Sequence, residues 1–358
     1  MRVLHVSASG LRELEALPDA LPAEGFLWIG SARRVFELRQ AELQAGLQRW
    51  GLGALVDLHV SDLLNNQLPS HYDYTSWYDL LVFRRLAAAA GSEDLFVDDE
   101  HGTMASAQRA LRAIDTSPVG FAVFDRVLIT VHPTDCAVRE HFATRLVSAG
   151  ARLPASPADL MLRMVNHMVD SYLDLRRLLT RQLGYLQQRL LDPKSRFGGW
   201  NVLLQSRTAL HLLEDTCEDQ RSAIQEWIDA LDEWPEPAEP AARRERELLR
   251  VRSRDVLEHV ERVLSHVRRL EHSAETAVQM HFSATAHRTN DIMRTLTVLT
   301  AVFMPLNLIT GFFGMNFDFL PLVHTSTGVW VAVLMMLAIG LGLAVFFWRK
   351  RYLGENPR

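Results

Sequence analysis

Cysteine is nearly absent: Cys136 and Cys217 are the only two in 358 residues, 81 positions apart. That spacing fits no metal-ligand motif and no disulfide framework, so both are read as ordinary thiols of a reducing compartment. Charge is missing from most of the C-terminal fifth. The 20 residues from Val329 to Trp348 carry none, and the 23 from Ile292 to Gly314 carry only Arg294. Glycine and proline are missing from the 64 residues Ala241 to Met304, which excludes a turn and predicts one continuous helix. No P-loop, Gly-x-Ser-x-Gly or His-Glu-x-x-His occurs, so no enzyme activity is expected. The opening stretch, MRVLHVSASGLRELEAL, has no continuous apolar run and predicts no signal peptide. The net charge of -5 averages a mixed soluble part with a nearly uncharged end. Nucleic acid is not an expected partner.

What is present begins with those two apolar runs. About 20 apolar residues span roughly 30 Å of hydrocarbon, and both runs reach that length. Two core helices of a soluble protein would be the alternative. Between them the 14 residues Met315 to Gly328 hold one formal charge, Asp318, while Arg288 and Arg294 lie at the start of the first run and Arg349, Lys350 and Arg351 follow the second. The positive-inside rule then puts both termini in the cytoplasm and the short loop outside. With the breaker-free stretch, the first span continues a helix about 110 Å long at 1.5 Å per residue.

Along the cytosolic half of this rod, Val256, Val260, Val263, Val267, Leu270, Ala274, Ala277 and, after His281, Ala284 recur in steps of four and three, a coiled-coil-like seam. In the membrane half, Asn290, Met293, Thr297, Thr300, Met304, Asn307, Gly311 and Gly314 stack along one side, with Leu296, Leu299, Phe303, Leu306 and Phe313 around much of the rest. Such a stripe faces protein or water rather than lipid. Tight helix packing is one reading. The amides Asn290 and Asn307 favour a lined pore.

Residues 1–156 mix short strand-like runs with helical ones: FLWI at 26–29, ALVDLHV at 54–60, LLVF at 80–83, then VGFAVF and VLITV, the last two joined by a tight turn at Asp125-Arg126. Helices are expected from Ala158 to Leu191 and, after DPKSRFGGW, to about Leu231, with EWPEPAEP before the rod. The second of these helices holds eight acids between Glu214 and Glu233. They read as a solvated face that would also concentrate cations. LFVDDEHG at 95–102 reads as an acidic turn.

The segment NDIMRTLTVLTAVFMPLNLITGFFGMNFDFLP, with a second span and WRKRYL after it, resembles the CorA family of divalent cation channels, whose hallmark is Gly-Met-Asn ending the first of two C-terminal spans. The likeness is close from Arg254 onward and general before it. It implies an α/β N-terminal cytosolic domain, a long α-helical stalk and two transmembrane helices in a funnel-shaped homopentamer in a bacterial-type inner membrane. The corresponding boundaries are 1–156 for the domain, 157–290 for the stalk, 291–314 and 329–348 for the spans, 315–328 for the outer loop and 349–358 for a basic tail.

The resemblance further implies a selectivity filter of Gly314, Met315 and Asn316 that binds hydrated Mg²⁺ through its waters, and a pore lined by Asn290, Met293, Leu296, Met304, Asn307 and Gly311. Met293, Leu296 and Met304 would form a hydrophobic constriction that closes by dewetting. It also implies closure by cytosolic Mg²⁺ held between subunits. RDVLEH at 254–259 points to Asp255, and VSDLLN at 60–65 to Asp62, as the carboxylates involved. Asp318 would attract cations at the outer mouth.

Three positions depart from the family pattern: Asn307 where threonine is common, Gln279 where an acid often stands, and Leu322 where Pro-Glu is usual. Co²⁺ and Ni²⁺ are further candidate cargo. Zn²⁺ transport, with or without proton coupling, is the nearest rival. Gly-Met-Asn counts against it because the zinc branch carries Gly-Val-Asn, while the 14 histidines, among them His259, His266 and His324, count faintly for it. A non-conducting, membrane-anchored sensor or scaffold is the third reading.

Overall fold

The computed structural model describes residues 1–8, 10–86, 111, 114–134, 137–147, 153–192, 200–235, 237–315 and 326–350. It divides into two compact units, Met1–Ala277 and Val278–Arg358.

In the first unit seven strands form one sheet: β1 (Arg2–Ser7), β2 (Gly10–Leu14), β3 (Phe26–Ala32), β4 (His71–Tyr74), β5 (Asp79–Leu86), β6 (Thr116–Val123) and β7 (Val127–His132). Their order is β2-β1-β3-β7-β6-β5-β4, antiparallel throughout except for the central β3–β7 pair. β6 and β7 form the expected hairpin, closed by Phe124 N–H donating to Val127 O at 2.9 Å, with Asp125 and Arg126 at its tip.

Both faces of the sheet are apolar, because alternate residues of each strand point to opposite sides and both sides meet helices. Trp28, Leu81, Phe83, Phe121 and Leu128 share a core with α3 (Ala137–Val147), α4 (Pro157–Leu191), α5 (Trp200–Glu233) and the first part of α6 (Pro240–Phe313). Their strand neighbours Leu27, Ile29, Leu80, Ala122 and Ile129 pack on α1 (Arg33–Arg49) and α2 (Asp57–Leu64). The run at 54–60 is therefore corrected: from Asp57 it is helix, not strand. His59, Val60 and Leu63 are buried while Val56 and Leu58 are exposed, a helical spacing that the alternating look of ALVDLHV disguised.

α4 starts where its sequence says it must. Ser156 accepts from Asp159 N–H at 3.3 Å, Pro157 opens the helix, and the Asp159 carboxylate reaches back to Ala155 N–H at 3.0 Å. α4, α5 and α6 continue past the sheet as a bundle around Leu179, Leu186, Leu213, Cys217 and Val267. Burial pushes the Cys217 thiol up to about 12, so it is inert packing. Fully buried Trp227 donates Nε1–H to Ser253 Oγ at 2.9 Å and ties α5 to α6. The α6 seam is buried from Val256 to Ala277, but Ala284 is exposed. α4 ends at Leu191, with Gln187 Nε2 donating to Ser273 Oγ at 3.0 Å close to that end, so among the described residues the seam runs past the end of α4.

The second unit contains the remainder of α6 and α7 (Ser326–Arg349). In their most apolar windows only 11% and 6% of the residues are buried, unlike the mostly buried core helix of a soluble protein, and both are long and apolar enough to span a membrane.

Candidate ion pathway and cation sites

The membrane half of α6 has one covered side. Val298 and Ile309 are buried and Ala301, Val302, Pro305 and Leu306 are half-buried. Against this side lies α7, where a Cβ placed on Gly340 would sit 3.9 Å from the Leu306 side chain and where Ala332 is buried. Small residues on α7 permit that approach. At 3.6 residues per turn, Met293, Leu296, Thr297, Thr300, Met304, Asn307 and Gly311 fall on the opposite side, and all of them are exposed. Asn290, one turn earlier, is exposed too. The second span of the same chain thus leaves the polar stripe uncovered.

Within that stripe the hydroxyls are already committed. Thr297 Oγ1 donates to Met293 O and Thr300 Oγ1 donates to Leu296 O, both at 2.8 Å. With their protons used inside the helix, these side chains turn oxygen lone pairs outward, the polarity a cation requires.

α6 closes at Gly314, whose N–H donates to Thr310 O at 2.9 Å. A Cβ there would stand 3.0 Å from that same carbonyl, so glycine is what allows the helix to end this tightly. Met315 follows, exposed, with its N–H donating to Phe312 O at 3.3 Å. Asn316, Asp318, Leu322 and His324 lie outside the described residues, as do Cys136 and 95–102. Gln279 is exposed on α6.

The two candidate regulatory carboxylates are kept apart within one chain. Asp62 is on α2, its side chain 20% exposed and its Oδ2 3.8 Å from His71 Nε2. Asp255 is on α6, 56% exposed, its Oδ1 3.8 Å from His259 Nε2. Because α2 and α6 pack on opposite faces of the sheet, one protomer does not bring the pair together. Asp255 lines a cavity of 380 Å³ with Asp170, Asn166, His167, Arg163 and Arg252. The Asn166 Oδ1 there is buried with no partner among the described residues. Sequence reasoning missed Asn166 and Asp170; their i,i+4 spacing on α4 was the available signal.

A further group was also missed. Ligand atoms of His211 and Glu214 on α5 and Glu271 on α6 lie within 4.8 Å of one another. Arg268 binds Glu214 at 2.7 Å and holds its carboxyl below the ordinary range, whereas burial and the facing Glu214 raise that of Glu271. The i,i+3 pair His211 and Glu214 was visible on one helix, but Glu271 needed the packing. His266, by contrast, is occupied: its Nε2 lies 2.7 Å from Thr180 Oγ1.

Among known proteins, the family model for CorA-like Mg²⁺ transporter protein matches residues 101–351, well over half the chain. A Bacillus subtilis protein, YfjQ, whose own assignment as a metal ion transporter is provisional, is 25% identical over 242 residues, covering 66% of this chain and 71% of that one. The cobalt/magnesium transport protein CorA of Thermotoga maritima is 23% identical over 194 residues, 54% of this chain and 52% of that one, so the alignment spans about half of that relative. The complete structure of the CorA magnesium transporter from Methanocaldococcus jannaschii superposes with a TM-score of 0.71 at 17% identity, covering 98% of both chains. With two apolar C-terminal helices, one of them carrying an uncovered polar stripe, and with this family match over most of its length, the chain belongs to the CorA-like Mg²⁺ transporter family.

Proposed function

We propose that this CorA-type divalent cation transporter carries out passive Mg²⁺ uptake, also accepting Co²⁺ and Ni²⁺, through a homopentamer whose pore is walled by the stripe on α6. The observation that carries this reading is the division of α6 into a side packed by α7 and an opposite side of amides, hydroxyls, thioethers and glycine left open. A helix that merely anchored the chain would need no such side, since polar groups at membrane depth are costly without partners. Copies arranged around an axis would turn the stripe inward.

Asn316 would then form a ring of amide oxygens at the outer mouth. Mg²⁺ sheds water reluctantly, and neutral acceptors can hold the hydrated ion through its waters, firmly enough to select it and loosely enough to release it. Met293, Leu296 and Met304 would form the constriction. With no P-loop in the sequence, the driving force would be the gradient and the membrane potential, about 4.6 kcal/mol for a divalent ion per 100 mV. Both termini would face the cytoplasm, beside the basic residues at 349–351. Asp62 of one subunit and Asp255 of the next would share regulatory Mg²⁺. Their separation within a single chain supports a site between chains, because two carboxylates facing each other repel unless a cation sits between them.

Flux into proteoliposomes, compared for Mg²⁺, Co²⁺, Ni²⁺ and Zn²⁺ with and without a pH gradient, tests the proposal. Potential-driven Mg²⁺ uptake is the expected result. Proton-dependent Zn²⁺ uptake would instead favour the zinc reading, for which the imidazole of the His211 group is the supporting observation, and absence of all flux would leave a sensor.

A further inference from the structure

At the open edge of the sheet, beside β4, lies a cavity of 630 Å³ that no step of ion conduction uses. Three helix ends converge on it: the start of α4 at Ser156 and Pro157, the end of α5 at Glu233, and the first turns of α6 from Ala242 to Leu249. The volume is in the range of small-molecule sites.

Two features of its wall go together. The first is aromatic. Among the described residues of the first unit, the exposed large aromatic side chains are Tyr74, Trp77 and Trp234, and all three line this cavity. They are held in place rather than loosely displayed. Tyr74 stacks on Tyr72 at 6.2 Å, Trp234 meets buried Trp227 edge-on at 5.9 Å, and the Trp77 ring fits against Gly53, where a Cβ would approach it to 2.7 Å.

The second feature is anionic. Asp79, Asp125, Glu233 and Glu245 line the same space. Asp79 accepts from Tyr72 Oη at 2.6 Å, while Asp125, Glu233 and Glu245 have no ion-pair partner among the described residues. Among the described residues the lone lining cation is Arg246, which gives both terminal nitrogens to backbone carbonyls: Nη1 to Pro235 O, and Nη2 to Leu231 O and Asp232 O, at 3.0 to 3.1 Å. It caps α5 and does not answer the carboxylates.

We propose that this cavity binds an aliphatic polyammonium cation. Aromatic faces attract ammonium groups and cover the methylenes between them, while separated carboxylates take the charged ends. A hydrated metal ion would use the carboxylates and leave the aromatic wall idle. A neutral aromatic ligand would do the reverse, and an anion would meet the wrong charge. The site lies in the first unit and does not depend on how ions cross the membrane.

The test is spermidine titration of the full-length protein in detergent micelles, followed by tryptophan fluorescence and calorimetry. One saturable site per chain is expected, weakened at least tenfold by Trp234→Ala and by Glu245→Gln, tighter than the site for putrescine, and not displaced by MgCl₂ at equal ionic strength. Tyr74→Ala, on the edge strand, serves as the aromatic variant if Trp234→Ala alters the circular dichroism. Absence of saturable binding, binding indifferent to both the aromatic and the Glu245 variants, or displacement by MgCl₂ mole for mole would overturn the proposal.

Discussion

Acidification is expected to destabilise the sheet domain through His132, at the end of β7. This imidazole is 2% exposed, its Nδ1 lies 3.0 Å from Pro133 O, and its Nε2 has no partner among the described residues. Burial, with Arg139, Arg85 and Arg33 nearby, lowers its pKa from 6.5 to about 4, the Pro133 carbonyl opposing only in part. The sign follows directly. As pH falls below 6.5 the unfolded chain takes up a proton that the native site refuses until about 4, so the stability is whole above 6.5 and is lost across that window. A gap of about 2.5 pH units, at about 1.4 kcal/mol per unit, makes the loss about 3 kcal/mol. For a domain of this size that lowers the melting temperature by roughly 6–12 °C. His132→Asn keeps a donor near Pro133 O and cannot titrate. Melting of both proteins in detergent should show the variant gaining on the wild type by that amount from pH 6.5 to 4. Parallel profiles would refute the assignment.

Three further outcomes concern conduction. Asn316→Ala is expected to fold and assemble while losing its preference for Mg²⁺ over other divalent ions in liposome flux; a conducting variant with unchanged preference removes the amide ring. Asp62→Lys with Asp255→Lys should abolish closure by internal Mg²⁺ and leave the channel open, and Mg²⁺-dependent closure at wild-type concentrations would rule those carboxylates out. Thr300 sits on the exposed stripe between Leu296 and Met304 with its proton committed to Leu296 O. Thr300→Val, similar in shape but without the oxygen, should dry the constriction and cut flux at least tenfold, whereas Thr300→Ser should retain most of it. Equal flux in both variants would mean that residue 300 does not face the ions.

Much of this was legible along the chain because it is local to one element. The helix of α6 follows from the absence of breakers before Met304, and Pro305, which lacks an N–H to donate, is accommodated inside it. The seam from Val256 to Ala277 and the stripe from Met293 to Gly311 are periodicities of a single helix, so counting residues recovers them. The β6–β7 hairpin is equally local, with Asp125 and Arg126 between two strand-like runs. The Gly314 terminus was marked by its residue type, and the geometry supplied the reason, a carbonyl 3.0 Å from where a Cβ would stand.

Other features exist only once distant segments meet. Residues 57–64 are helical because one face of the sheet offers Leu63 and Val60 a core to join, which no short window of sequence reveals. The side of the first span that α7 covers, and hence the side it leaves open, depends on Gly340 finding Leu306. Asp62 and Asp255 were nameable individually, but their placement on opposite faces of one sheet is a matter of layers. Glu271 beside His211 comes from two helices meeting, and Trp234 beside Tyr74 and Glu245 from three helices and a strand edge converging. Repeating patterns along a chain determine which face of a helix or strand is apolar; which partner meets that face is settled by packing, where burial and steric fit are optimised over residues far apart in sequence.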